Sequence, residues 1–322
     1  CRVIYGLDGL KVHSKLLLIT RMHQGQVEHI TQVGTGNYNE DTVRLYTDYA
    51  LMTADPQIGA DAAGVFNALS MGEVVEDSGR LLVAPACLRN KIAALIDAEI
   101  QQAQAGRPAY LGFKLNGLTD RLLIDKLIEA SQAGVRIDLI VRGICCLVGG
   151  VDGCTENIRV RSIVGRYLEH ARIYLFGLGE RRRVYISSAD FMTRNTTRRV
   201  EVAAPVLDPE LRAHLELMFQ DQLRDTAKGR VQRPDGSYVR AEGACFNSQE
   251  WSFDQAYSGA WTLAWRQAPP PAPKADQTPA PAPGRPKPKP LPVNAPPAPQ
   301  RRPSVKIQAR RPGLLGRLFG RD

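Results

Sequence analysis

Apolar residues fall into short Val/Ile/Leu-rich runs at residues 15–20, 29–33, 81–84, 110–114, 136–141, 158–164, 172–176, 184–187 and 200–206. Runs of this length, rich in β-branched residues, predict strands. Longer amphipathic stretches at 56–70, 88–104, 120–132 and 209–227 alternate with several of them and predict helices. The third is the clearest. Leu122, Leu123, Leu127 and Ile128 form a stripe at helical spacing, Thr119 or Asp120 offers an N-cap, and Gly134 closes the end. Strands alternating with helices predict an α/β fold with mixed sheets.

The pattern stops near Arg266. Sixteen of the chain's 22 prolines lie beyond it, among Ala, Lys and Arg, and such a segment has too little apolar surface to fold. A disordered, polyproline-II-like tail is expected over 267–322. Its end differs: GLLGRLF at 313–319, between arginines, reads as a short basic amphipathic turn suited to a membrane surface or a partner. The tail's eleven Lys/Arg against Asp276 and Asp322 carry the chain's whole net charge of +9. Residues 1–266 are balanced, so charge does not mark the folded part as a nucleic-acid binder. The six cysteines show no C-x-x-C spacing and read as buried reduced thiols. No apolar stretch approaches the ~20 residues of a membrane span. The chain opens at Cys1 inside a strand-like run, 3–5, and is expected to be a fragment.

Five histidines occur, and two stand in matching contexts. His13 and Lys15 enter the run at 15–20, and His170 and Arg172 enter the run at 172–176. Residues two apart in an extended chain share a face, so each histidine points with a cation. Each half then has a polar turn after a further strand, Gly34-Thr35-Gly36-Asn37 and Ser187-Ser188-Ala189-Asp190. Small residues there admit a ligand to the backbone, and the amide or carboxylate could orient an imidazole. The arrangement predicts two similar halves whose histidines meet across one cleft.

A His-x-Lys strand followed by a glycine-rich turn ending in Asn resembles half of a phospholipase D-type active site. The longer stretches LKVHSKLLLI (10–19), VGTGNYNEDTVRLYTDYALMTAD (33–55), KLNGLTD (114–120), ASQAGVRIDLIVRGICCL (130–147), ENIRVRSIVGRYLEHARIYLF (156–176), VYISSADFMTRN (184–195) and RRVEV (198–202) are more specific. In order, they resemble the C-terminal halves of bacterial polyphosphate kinases of the phospholipase D-like type, over residues 1–240.

The resemblance implies two phospholipase D-like α/β domains with mixed sheets. The first would be incomplete over 1–75 and the second would span 76–240, followed by an extension over 241–266 and the tail. It also implies reversible transfer of the ATP γ-phosphate to polyphosphate, with His13 as the phosphate-accepting nucleophile. By motif, ATP contacts fall on Tyr46, Arg142 and His170, the last also an acid/base or leaving-group clamp. Glu201 matches a further active-site position, and Lys15, Asn37 and Lys114 are supporting candidates. Arg159, Arg161, Arg166, Lys114, Arg198 and Arg199 are candidates for a polyanion path, whereas Arg181-Arg182-Arg183 reads as a turn. Mg2+ is implied, bound by a region this chain lacks, so no residue here is assigned to metal. The implied partners are ATP, ADP and inorganic polyphosphate, in a cytoplasmic homo-oligomer whose basic tail would contact a polyanion or a membrane surface. Two alternatives are a phospholipase D-type phosphodiesterase and a non-catalytic polyphosphate-binding remnant. Against the first, Arg172 stands where such enzymes usually keep lysine.

Overall fold

The computed structural model describes residues 3–258; the expected tail and its amphipathic turn lie outside them. In the first half, the apolar runs become β1 (Lys11–Val12), β2 (Lys15–His23), β3 (Gln26–Gly34), α1 (Glu40–Val43), β4 (Ala50–Thr53) and α2 (Pro56–Ser70). β2 outruns its apolar stretch because Gln24 and Gly25, both at positive φ (50° and 78°), form a two-residue turn. Such a turn matches the strand twist and extends the hairpin beyond the core, where Arg21 pairs with Glu28 across it at 2.6 Å. Helix α2 has the predicted bounds, with Asp55 as its N-cap and Pro56 in its first turn.

The second half contributes β5 (Leu82–Ala84), α3 (Leu88–Gln104), β6 (Tyr110–Leu115), α4 (Arg121–Gln132), β7 (Arg136–Val141), β8 (Ile158–Ile163), β9 (Arg172–Phe176), β10 (Arg183–Ser187), α5 (Thr193–Thr197), β11 (Arg199–Pro205), α6 (Pro209–Leu223), β12 (Gly229–Gln232), β13 (Tyr238–Arg240) and α7 (Ser248–Tyr257). Its sheet runs β1-β11-β10-β9-β6-β7-β8-β12-β13, with β5 also on β11. The pairs β6–β7 and β7–β8 are parallel, and β6–β9 is antiparallel. Helices α3 and α4 bury Ile92, Ile96, Leu123 and Leu127 on one face of it. Helix α6 buries Leu215 and Phe219 on the other. The fold is therefore mixed α/β with a large mixed sheet.

A third cluster seals the two halves together: Val33, Ile58, Ala62 and Val65 from the first pack on Val83, Val202 and Ala204 from the second.

Helix α6 stops four residues before the expected end at 227. Asp225 is fully buried and accepts from the backbone N–H groups of Lys228, Gly229 and Ser248. A helical backbone could not offer that carboxylate to all three. The cysteines also differ from expectation. All five described cysteines are free, but only Cys87 is buried, while Cys146 and Cys245 are exposed. Among the described residues no helix is long and apolar enough to cross a membrane.

The loop before β9 is fixed by a buried charge pair. Lys114 Nζ lies 2.9 Å from Glu169 Oε2, with both side chains almost fully buried. Thr47, Gln222 and Gln249 also donate to that carboxylate. Burial pushes the Glu169 carboxyl up, but Lys114 and these donors outweigh it and hold the group below its ordinary range. Removing one partner of such a pair strands a buried charge. Lys114→Met is expected to lower unfolding stability by about 3–5 kcal/mol in urea titrations, and adding Glu169→Gln to restore more than half of it. Additive losses would contradict the pairing.

Candidate active site

Two short parallel pairings assemble the site from both halves. β1 lies parallel to β11 with Val12 opposite Val200, and the N–H groups of His13 and Ser14 both donate to the Val200 carbonyl at 2.9 Å. Continued by one residue, this register brings His13 level with Glu201, and His13 Nδ1 lies 2.9 Å from Glu201 Oε2. Independently, Tyr46 bridges Leu168 in parallel, Thr47 N donates to the Leu168 carbonyl and Ala171 N to the Thr47 carbonyl. That register brings Asp48 level with His170, whose Nδ1 lies 2.9 Å from Asp48 Oδ1. Each histidine is thus held by a carboxylate from the other half.

A carboxylate only accepts, so each Nδ1 carries a hydrogen, and a ring in its neutral form keeps a lone pair on Nε2. Glu201 is completely buried and also accepts from Ser188 Oγ at 2.5 Å. Arg199 approaches its other oxygen at 3.7 Å. Asp48 takes a second hydrogen bond from Thr35 Oγ1 at 2.6 Å. Burial pushes the Asp48 carboxyl up, but the bonds from His170 and Thr35 win and hold it below its ordinary value. Burial lowers the His170 imidazole, with the Arg172 charge adding to it and Asp48 opposing, so the ring is neutral near pH 7.

Cations surround both rings. Lys15 follows His13 by two residues and donates back to the His13 carbonyl. Its ammonium is lowered to about 8, first by burial and further by Arg172 and Arg199, against the pull of Glu201 and Asp48. Arg172 is buried and grips Asp190 through two nitrogens, at 3.2 and 2.9 Å, while its Nη1 lies 3.2 Å from His170 Nε2. Asn116 joins Asp190 to the His170 carbonyl and accepts from Arg142. The Tyr46 ring lies against His170, with centroids 4.9 Å apart.

The structure thus brings together His13, Lys15, Tyr46, Arg142, His170, Glu201 and Arg199. Asn37 is exposed, and the orienting role expected of it is filled by Asp48. Lys114 is spent on Glu169 inside the core, not on an open path. Arg159 forks onto Asp138 and Arg161 reaches the Asp225 carbonyl, both on the β7–β8 side of the sheet. Arg166 is exposed over Tyr167.

Sequence reasoning missed Asp48 and Asn116 and did not see Arg172 as a clamp. A signal for Asp48 existed: an acid follows His13 by 35 residues much as Glu201 follows His170 by 31. Gly36 has a physical reason to be glycine, since a Cβ there would fall 1.9 Å from Asp48 Oδ2. Magnesium finds no fit here. Among the described residues no three His, Cys, Asp or Glu converge on a metal position, and Asp48, Asp190 and Glu201 are taken up by His170, Arg172 and His13.

Asp48→Asn removes the charge that raises His170 and leaves burial and Arg172, which both lower it. The His170 titration midpoint, followed by NMR, is expected to fall; a rise would show that Asp48 does not govern the ring. Gly36→Ala should mimic this change with the carboxylate still present but displaced.

A family model described as polyphosphate kinase C-terminal domain 1 matches residues 1–74, and one described as C-terminal domain 2 matches residues 81–249. The polyphosphate kinase of Bacillus anthracis is 45% identical over 260 residues, covering 80% of this chain and 37% of that protein. That of Streptomyces coelicolor is 46% identical over 240 residues, covering 74% and 32%. The crystal structure of polyphosphate kinase from Porphyromonas gingivalis superposes with a TM-score of 0.75 at 39% identity, over 81% of this chain and 41% of that one. The chain spans about a third of the length of these curated relatives. Both family models, and relatives of this identity over most of its length, place the chain in the polyphosphate kinase family, as the C-terminal portion.

Proposed function

We propose that this chain forms the phosphoryl-transfer centre of a polyphosphate kinase, passing the γ-phosphate of ATP through His13 to polyphosphate. The observation that carries the reading is the His13–Glu201 pair, an imidazole fixed at Nδ1 by a buried carboxylate that Arg199 approaches, with Lys15 on the His13 carbonyl. In the first step the Nε2 lone pair attacks the γ-phosphorus. The N–P bond forms as the bond from that phosphorus to the β,γ-bridging oxygen breaks, and ADP leaves with the electron pair. In the second, a terminal oxygen of polyphosphate attacks the same phosphorus, the N–P bond breaks, and the imidazole recovers its lone pair. The reverse sequence makes ATP.

Phosphoryl transfer spreads negative charge over oxygens, so catalysis rests on position and fixed positive charge. Lys15, Arg142, Arg172 and Arg199 supply that charge. His170, neutral with its Nε2 facing the Arg172 guanidinium, would accept or hold a proton on the incoming or leaving phosphate. Tyr46 would offer an aromatic surface to the nucleotide beside it. The tunable part is Lys15, which is protonated below about 8, so transfer should weaken as pH rises through that value.

Labelled γ-phosphate from ATP, supplied with magnesium, is expected to appear on the chain as acid-labile, alkali-stable label and to vanish in His13→Ala. Label that persists in His13→Ala would overturn the assignment.

Lys15 carries a second expectation. Its folded pKa of about 8 lies below the ordinary 10.5, so between these values the unfolded chain binds more protons and stability rises with pH. The buried charge therefore opposes folding in full below pH ~8. Lys15→Met should raise the melting temperature at pH 7, with the gain fading toward pH ~10.5, while labelling slows by roughly ten-fold or more. A Lys15→Met protein less stable at pH 7 would refute the account of that side chain.

A further inference from the structure

The Arg181-Arg182-Arg183 triplet is more than a turn. Arg181 and Arg182 are tied down by Glu99 at 2.7 Å and Glu216 at 2.5 Å, but Arg183 is exposed and opens onto a cavity of about 560 Å3. The cavity lies on the rim of the large sheet away from the histidines. Arg183 pairs with Phe176, at the end of β9 opposite His170, and Leu207 follows β11, which begins beside Glu201. The six residues from Glu201 to Leu207 span about 20 Å at ~3.3 Å per extended residue.

Every charged residue lining this cavity is a cation: Arg80, Lys91, Arg182, Arg183 and Arg212, over apolar walls that include Leu95 and Val184. Lys91 is compensated by Asp77 at 2.6 Å and Arg182 by Glu216. The guanidinium groups of the other three form no ion pair among the described residues, although the Arg80 backbone N–H donates to Asp61 at 2.6 Å. Arg80 donates to the neutral Gln57 amide at 2.5 Å and Arg212 to the Arg182 carbonyl at 3.1 Å. Tyr185 lines the same cavity, and burial pushes its phenol up while Arg183, Arg80 and Lys91 pull it down.

Five cations against the carboxylates of Asp77 and Glu216 leave positive charge in excess, which an anion would relieve, and guanidinium forks suit phosphate oxygens. The volume lies within the ~300–1,000 Å3 of ligand pockets. We infer that this rim cavity is a binding site for a linear oligophosphate, separate from the histidine centre. No histidine, cysteine or carboxylate lines it, so it binds without reacting. The ligand class rests on the proposed function; the site rests on its own cations. Inorganic polyphosphate and the triphosphate of a nucleotide share this chemistry, and a nucleoside would add contacts to the apolar wall.

Hydrogen exchange of the full chain, at constant ionic strength, separates this site from the catalytic centre and the tail by location. Inorganic triphosphate and ATP are each expected to protect residues 79–83, 183–185 and 205–212, and adenosine is not. Equal half-protection concentrations would assign recognition to the phosphate chain, and a lower one for ATP would add the nucleoside. Arg80→Glu/Arg183→Glu should raise that concentration roughly ten-fold or more, and the milder Arg183→Gln several-fold. His13→Ala should leave it unchanged, and label that persists in His13→Ala alongside retained protection would count against the proposed function alone. Absent protection at these segments, protection by adenosine, or protection indifferent to both Arg183 variants would overturn the site.

Discussion

Two parallel backbone registers, Val12 with Val200 and Tyr46 with Leu168, govern the chemistry of this chain. Each places a histidine from one half against a carboxylate from the other, His13 on Glu201 and His170 on Asp48. A slip of one residue in either would turn the side chains to opposite faces and break the pair. The apolar seam of Val33, Ile58, Val83 and Val202 holds those registers, so the packing between halves and the orientation of both imidazoles are one constraint. His13 is consequently supported by β11 of the second half as much as by the hairpin that follows it.

The site concentrates charge that folding alone would avoid. Lys15, Arg172, Asp190 and Glu201 are all buried, and each ion is costly to dehydrate unless paired. Arg172 and Asp190 satisfy one another, while Glu201 is satisfied by His13 and Ser188 at one oxygen and has only Arg199, at 3.7 Å, near the other. Lys15 is the exception, with its ammonium destabilised to about 8. A destabilised cation on the His13 carbonyl suits the proposed phosphoryl transfer, since an incoming anion would offset the Arg172 and Arg199 charges that lower Lys15. Farther out, Glu169 fixes the loop carrying His170 by drawing Lys114, Thr47, Gln222 and Gln249 onto one carboxylate.

Much of the framework was legible in the sequence because it depends on local periodicity. α2 and α3 match their expected bounds, and α4 begins at Arg121 on the predicted Asp120 cap. Elements set by distant contacts were not legible. β1 is two residues long and exists only because β11 accepts it, and α6 ends early because Asp225 turns inward to Ser248. At the site, His13, His170 and Glu201 carried motif signals. Asp48 carried only the spacing of an acid 35 residues after His13, and its role comes from a pairing across 122 residues. Lys114 read as a path cation because sequence shows a charge but not the buried acid opposite.

The reciprocal pairing is tested most directly by long-range 1H–15N NMR of the histidine side chains in the full chain, which reports the protonated nitrogen of each neutral ring. His13 and His170 are both expected to be Nδ1–H tautomers with unprotonated Nε2 atoms, and Glu201→Gln to perturb His13 while sparing His170. Nε2–H tautomers at either ring, or equal disturbance of both by the single substitution, would contradict it.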